Sequence, residues 1–151
     1  METLIMVWVA KCSFKDIQTG NHKKPDNCIL IQIVDYDRDF PEPKFKSSFK
    51  EIHYFSFMDF DQGDGDLTDF GISNVDAKAI AEIILNAHHT ETNILVHCMM
   101  GVSRSGGVLE ACEYFGFETE PLSLRCPNLM VKQKIITFAK EIINNDKKYC
   151  S

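Results

Sequence analysis

Asn93-Ile94-Leu95-Val96-His97-Cys98-Met99-Met100-Gly101-Val102-Ser103-Arg104-Ser105-Gly106-Gly107-Val108-Leu109 decides the fold. Residues 93–97 form a short apolar run that reads as a buried strand. Residues 105–115 carry apolar side chains at helical spacing, so the turn between them opens directly onto a helix N-terminus. Backbone N–H groups in such a turn point inward and, with the helix dipole, make a cradle for an anion. Arg104 adds a planar fork that matches two oxygens of a phosphate. Cys98 stands at the base of the cradle, where the same field favours a thiolate, the form of cysteine that attacks phosphorus. None of the other five cysteines has an arginine six positions on.

Outward from this stretch, apolar runs and helical stretches alternate. Residues 4–10 (LIMVWVA) and 28–34 (CILIQIV) read as strands, with a short helix over 13–17 before the Gly20-Asn21 turn. Residues 35–50 form a charged loop with two prolines, and residues 52–57 (IHYFSF) return as a strand. The polar, Gly-containing segment 59–69 reads as a surface loop. Residues 73–88 form an amphipathic helix with Ser73 and Asp76 at capping-box spacing. In the last helix, 128–144, Leu129, Ile135, Ile136, Phe138 and Ile142 recur at near-helical spacing. Strands separated by helices predict an α/β fold, a central mostly parallel sheet flanked by helices, with the turn at a strand's C-terminal end. At 151 residues and 44% hydrophobic, the chain suits one domain spanning 1–151.

Composition narrows the function classes. The longest apolar runs fall far short of the ~20 residues of a membrane span, and residues 1–10 lack the basic flank and cleavage pattern of a signal peptide. A net charge of −6 argues against a nucleic-acid or anionic-membrane partner. A chain of this size does not need disulfides, and a catalytic thiolate would be at risk in an oxidising compartment, so a cytoplasmic location is expected. No metal or other cofactor is expected either. There is no Cys-x-x-Cys pair to suggest zinc. A calcium loop starting at Asp59 would fit at Asp61, but Gly63 and Asp64 break the ligand pattern and Phe70 replaces the closing glutamate. His88-His89 at a helix end fits a C-terminal cap or plain exposure. Met99 and Met100 suit the rim of a pocket or simple packing.

The run from His97 to Ser105 resembles the signature of the protein tyrosine phosphatase superfamily: His-Cys, five residues, Arg, then Ser or Thr. Gly101 and the Ser103-Arg104-Ser105 run are most similar to its dual-specificity branch. The resemblance implies a tyrosine-phosphatase-like fold and a phosphocysteine enzyme. Cys98 would attack phosphorus and Arg104 would bind the phosphoryl oxygens. Amides of Met99, Met100, Gly101, Val102, Ser103 and Arg104 would line the cradle. Ser105 would hydrogen-bond the departing thiolate, and His97 would brace the loop from behind. A weaker resemblance, to a compact microbial and phage group, lies in residues 29–43 (ILIQIVDYDRDFPEP), the strand ending Phe57-Met58-Asp59, and Cys126-Pro127-Asn128. In that group an Asn after Pro supports the signature loop; a helix N-cap is the other reading of Asn128.

A leaving alkoxide or phenoxide needs a proton, and the family supplies it from an aspartate after the preceding strand. Two registers compete here, giving Asp59 or Asp61. Asp59 is preferred because its aromatic neighbours would shield the carboxyl. In place of the family's Trp-Pro stands Phe57-Met58. The leading expectation is therefore a protein phosphatase, either specific for phosphotyrosine or of dual specificity with phosphoserine and phosphothreonine as further substrates, acting on a phosphorylated protein partner. Two alternatives stay open: a phosphoinositide or RNA 5′-triphosphate substrate, and a module that binds phosphorylated partners without turnover. Residues 99–103 offer no basic side chain for a polyanion.

Overall fold

A computed structural model describes residues 6–121 and 125–149. Four strands, β1 (Val9–Ser13), β2 (Cys28–Val34), β3 (Ile52–Ser56) and β4 (Asn93–Cys98), form one sheet in the order β1-β4-β2-β3. Every pairing is parallel, and β2 lies in register with β4 through Cys28↔Asn93 to Gln32↔His97. β2 is buried along its whole length, as its unbroken apolar character requires of a strand covered on both faces. The fold is α/β.

The two faces carry different cores. On one, Ile29, Ile31, Ile33, Ile94, Val96 and Cys98 meet α2 (Asn74–His89), α3 (Arg104–Tyr114) and α4 (Leu129–Asn145). On the other, Cys12, Cys28, Leu30 and Leu95 pack with Ile17 of α1 (Phe14–Thr19) and with Phe49. Helix α4 packs on both α2 and α3. Its contact with α3 is close because Gly107 has no side chain: a Cβ there would stand 2.7 Å from the Asn128 carbonyl oxygen and 2.9 Å from Val131 Cβ.

Three helices start where their capping residues dictate. Ser13 accepts from Asp16 N and the Asp16 carboxylate accepts from Ser13 N, a complete capping box. Ser73 accepts from Asp76 N at 3.0 Å, and Asn128 accepts from Val131 N at 3.0 Å.

Sequence expectations differ from the fold at three places. The first strand begins at Val9, not at residue 4; residues 4 and 5 lie outside the described residues. Segment 59–69 is not all loop: Gln62–Phe70 forms tight 3₁₀ turns capped by Asp61. Leu129 is exposed rather than core. Met130 and Val131 take the inward positions in that turn.

Candidate active site

A parallel sheet gathers the C-terminal ends of its strands at one edge, and the residues just past those ends build the site. β4 ends at Cys98. The residue after β2 is Asp35, and β3 runs on through Phe57 to Asp59. The loop 99–103 leads from β4 into α3 and is tied to the end of β1: Phe14 N donates to Met99 O at 3.2 Å, and Lys11 Nζ donates to Gly101 O. Gly101 has φ +71° and lies on the β1 backbone, where a Cβ would meet Cys12 C at 2.6 Å and Ser13 N at 2.8 Å. Only glycine fits both the left-handed conformation and the close approach.

Arg104 begins α3 and is 4% exposed. Its Nη1 donates to Asp35 Oδ1 at 2.6 Å and to the Phe57 carbonyl at 2.7 Å, which fixes the guanidinium from behind. Nε is buried without a partner. A buried, charged donor left unpaired is costly unless an acceptor arrives. Among the described residues, no backbone N–H from Met99 to Ser103 donates to another backbone carbonyl. Loop amides and the Nε side of Arg104 are thus together available to one anion.

Cys98 is 2% exposed, and its Sγ lies 3.2 Å from Ser105 Oγ, a hydrogen-bonded pair. Ser105 is fully buried and stands one residue after Arg104 in the first turn of α3. His97 is also fully buried. Its Nδ1 faces the Cys98 carbonyl oxygen at 3.4 Å and its Nε2 faces Gln32 Oε1 at 2.8 Å. Burial chiefly, with the charge of Arg104 adding to it, lowers the His97 pKa to about 4, against the bond to the Cys98 carbonyl. A neutral ring has one N–H. It satisfies both contacts when Nδ1 donates to Cys98 O and the Gln32 amide is turned over, so that its NH₂ takes the place of Oε1 and donates to Nε2; that turn also gives the otherwise unpartnered Gln32 nitrogen its acceptor.

The two candidate acids sit in different places. Asp59 is exposed, so its aromatic neighbours do not shield it as expected. Its Oδ1 accepts from Ser103 Oγ and from Asn128 Nδ2, both at 2.9 Å, which puts the carboxylate against the loop 99–103. Asp61 faces elsewhere. It accepts from Gln62 N at 2.7 Å, Met130 N at 2.9 Å and Leu129 N at 3.0 Å. Burial alone would raise its pKa, but those backbone bonds outweigh it and the net shift is downward, the wrong direction for a proton donor.

Cys12, Cys28 and Cys112 are packing groups. Burial pushes the thiols of Cys12 and Cys28 up to about 12 and raises that of Cys112 as well, whereas Cys126 is exposed. A cavity of about 570 Å³ lies between Trp8, Cys12, Asp16, His22 and Leu109.

No protein-family model matches the chain, and no curated protein does. Solved structures similar to it include a human tyrosine phosphatase-like serine/threonine/tyrosine-interacting protein, 15% identical, with a TM-score of 0.49 over 88% of this chain and 89% of that one. A second is Tk-PTP in its active form, also 15% identical, with a TM-score of 0.48 over 94% and 92%. At that distance neither says what this chain does. Its chemistry rests on the residues described above. Among the described residues, no helix is long and apolar enough to cross a membrane.

Sequence reasoning missed three contributors: Asp35, Gln32 and the reach of Asn128 to Asp59. Gln32 carried a signal, being the single polar residue in an otherwise apolar strand. Asp35 carried a weaker one, as the first residue past a strand that flanks β4.

Proposed function

We propose that this chain is a cysteine-dependent phosphatase that hydrolyses phosphotyrosine in protein substrates, with phosphoserine and phosphothreonine as slower ones. One observation supports this above the rest: the buried Arg104, held at Nη1 and unpartnered at Nε, beside a loop of free N–H groups that starts at Cys98. An oxyanion of phosphate size and charge completes both sets of donors.

In this mechanism the Cys98 thiolate attacks phosphorus; an S–P bond forms as the bond to the leaving oxygen breaks. Arg104 and the amides of residues 99–104 take up the charge spread over the three equatorial oxygens. Asp59 keeps Oδ1 on Ser103 and Asn128, so Oδ2 is the oxygen that delivers the proton to the leaving group. Water then attacks phosphorus, Asp59 takes its proton, and the S–P bond breaks. The Ser105 hydroxyl, 3.2 Å from Sγ, donates to the returning thiolate.

Charge around the cradle favours a protein substrate over a polyanion. Asp35 stands at Arg104, and Asp59, which touches Ser103, belongs to a segment, 59–69, that also carries Asp61, Asp64, Asp66 and Asp69 and no lysine or arginine. A phosphoinositide or a 5′-triphosphate would bring several charges against these carboxylates. The test is a parallel assay of a phosphotyrosine peptide, a phosphoserine peptide and an inositol phosphate, with an acid quench to trap phosphate on Cys98. Turnover in that order, with the adduct on Cys98, is expected. Binding of the phosphotyrosine peptide without release of phosphate would replace the enzyme by a phospho-binding module.

A further inference from the structure

We propose that Asp61 is a positioning residue, which holds the Asp59 carboxylate on the loop 99–103 by fastening residues 59–61 to the N-terminus of α4. This rests on Asp59 being the proton donor. The start of α4 presents its free N–H groups, and two side chains divide them. Asn128 takes Val131 N; Asp61 takes Met130 N on Oδ1 and Leu129 N on Oδ2. Asp61 Oδ1 also accepts Gln62 N, so a single carboxylate caps two helical segments far apart in the chain, the 3₁₀ turns and α4.

The segment so fastened has few other ties. Phe57 N reaches Val34 O at 3.1 Å and Met58 N reaches Phe70 O at 2.9 Å, both upstream of Asp59. Downstream, Asn128 Nδ2 donates to Phe60 O as well as to Asp59 Oδ1, each at 2.9 Å. Asn128 is 1% exposed, and its own N–H donates to Ser103 O at 2.9 Å. The first turn of α4 is therefore a junction, with the signature loop on one side and residues 59–61 on the other. Asn128 sits on the Asp59 side of that junction. Asp61 is the anchor on the far side, followed there by Gln62, whose Nε2 donates to Gln133 Oε1 of α4; without Asp61, among the described residues, residues 59–61 themselves are held to α4 through Asn128.

A mispositioned acid behaves as a missing one, so the test is a double-mutant cycle read against leaving-group ability. Asp61→Ala is expected to lower kcat about 10- to 100-fold on phenyl phosphate, part of the ~10²–10⁴-fold that general acid catalysis supplies. On an activated nitrophenyl ester the loss is expected to be severalfold smaller, with inhibition by inorganic phosphate unchanged. In an Asp59→Asn background, Asp61→Ala is expected to add nothing. Asp61→Asn keeps an oxygen for Gln62 N and Met130 N and loses only the bond from Leu129, so it should recover most of the activity; this variant also serves if Asp61→Ala folds poorly. Equal losses on both esters, or losses that multiply in the Asp59→Asn background, would reduce Asp61 to a helix cap and overturn the proposal. Asp61→Asn as damaging as Asp59→Asn would make Asp61 the acid itself. A flat leaving-group dependence in Asp59→Asn alone would instead remove the acid on which the proposal rests.

Discussion

Replacing Arg104 by lysine keeps the charge and removes the geometry, so it separates two explanations of how the cradle would bind phosphate in the proposed reaction. In the native site Nη1 is engaged by Asp35 Oδ1 at 2.6 Å and by Phe57 O at 2.7 Å, and the remaining edge is left for the phosphoryl group. A lysine ammonium is a single point donor. It can stay with Asp35 or turn to the phosphate, and in neither case does it present two parallel N–H groups. Losing two charge-assisted hydrogen bonds at ~1.5–3 kcal/mol each amounts to ~3–6 kcal/mol. At about 1.4 kcal/mol per tenfold, kcat/KM falls by about 10²–10⁴. Steady-state kinetics on an aryl phosphate, with phosphate or vanadate inhibition measured alongside, gives the number. Asp35→Asn is the companion: it keeps an acceptor for Nη1 and should lose much less. A lysine variant within tenfold of the native enzyme would refute the two-oxygen geometry and place Arg104 in a structural role with Asp35.

Cys98→Ser should abolish turnover and retain phosphate binding, because a serine hydroxyl supplies no anion at neutral pH; residual activity above a few per cent would contradict the nucleophile assignment. Gly101→Ala should cost at least ~1–2 kcal/mol of stability and most of the phosphate affinity, since its Cβ meets the β1 backbone at 2.6–2.8 Å. Gly63→Ala, with nothing within 4 Å of its Cβ, is the neutral control in the same thermal melt. His97 gives a pH signature: its folded pKa of about 4 lies below the unfolded value of 6.5, so the unfolded chain binds the extra proton between them. That contribution is complete above about pH 6.5 and is lost as pH falls to about 4, roughly 3 kcal/mol in all. Urea midpoints should fall over this range for the native chain and fall less for His97→Gln; parallel curves would count against a buried neutral ring.

Local features were legible in the sequence; the way distant segments converge was not. Cys28–Val34 could be read as a buried strand from its apolar run alone, and the strand-turn-helix around Cys98 from its change of period. The caps Ser73 and Asn128 follow from residue type and position. Asp35 is different, because its meeting with Arg104 across 69 positions depends on β2 lying beside β4 in a parallel sheet. The choice between Asp59 and Asp61 was open for a similar reason. Two carboxylates two residues apart look alike in sequence, and the start of α4, almost seventy positions on, separates their roles by taking one as a cap. Aromatic shielding does not single out Asp59, which is exposed; its contacts with Ser103 and Asn128 place it beside the loop for another reason.

Beneath the cradle, the pairing of Gln32 with His97 across β2 and β4 explains why the charge can be concentrated in one residue. A protonated His97 would put a second cation under the loop next to the buried Arg104, and both would compete for the field that the phosphate is to feel. Burial and Arg104 together keep the ring neutral, so it holds the Cys98 carbonyl through Nδ1 without adding charge. Arg104 in turn is only partly neutralised: Asp35 takes one nitrogen and is itself part-exposed, so water screens the pair more than it screens the Nε side. The positive potential that remains is aimed at the loop. Neutral groups set the position of Cys98 and one charged group stands beside it, so in the proposed reaction the phosphoryl charge would fall to Arg104 and the loop amides.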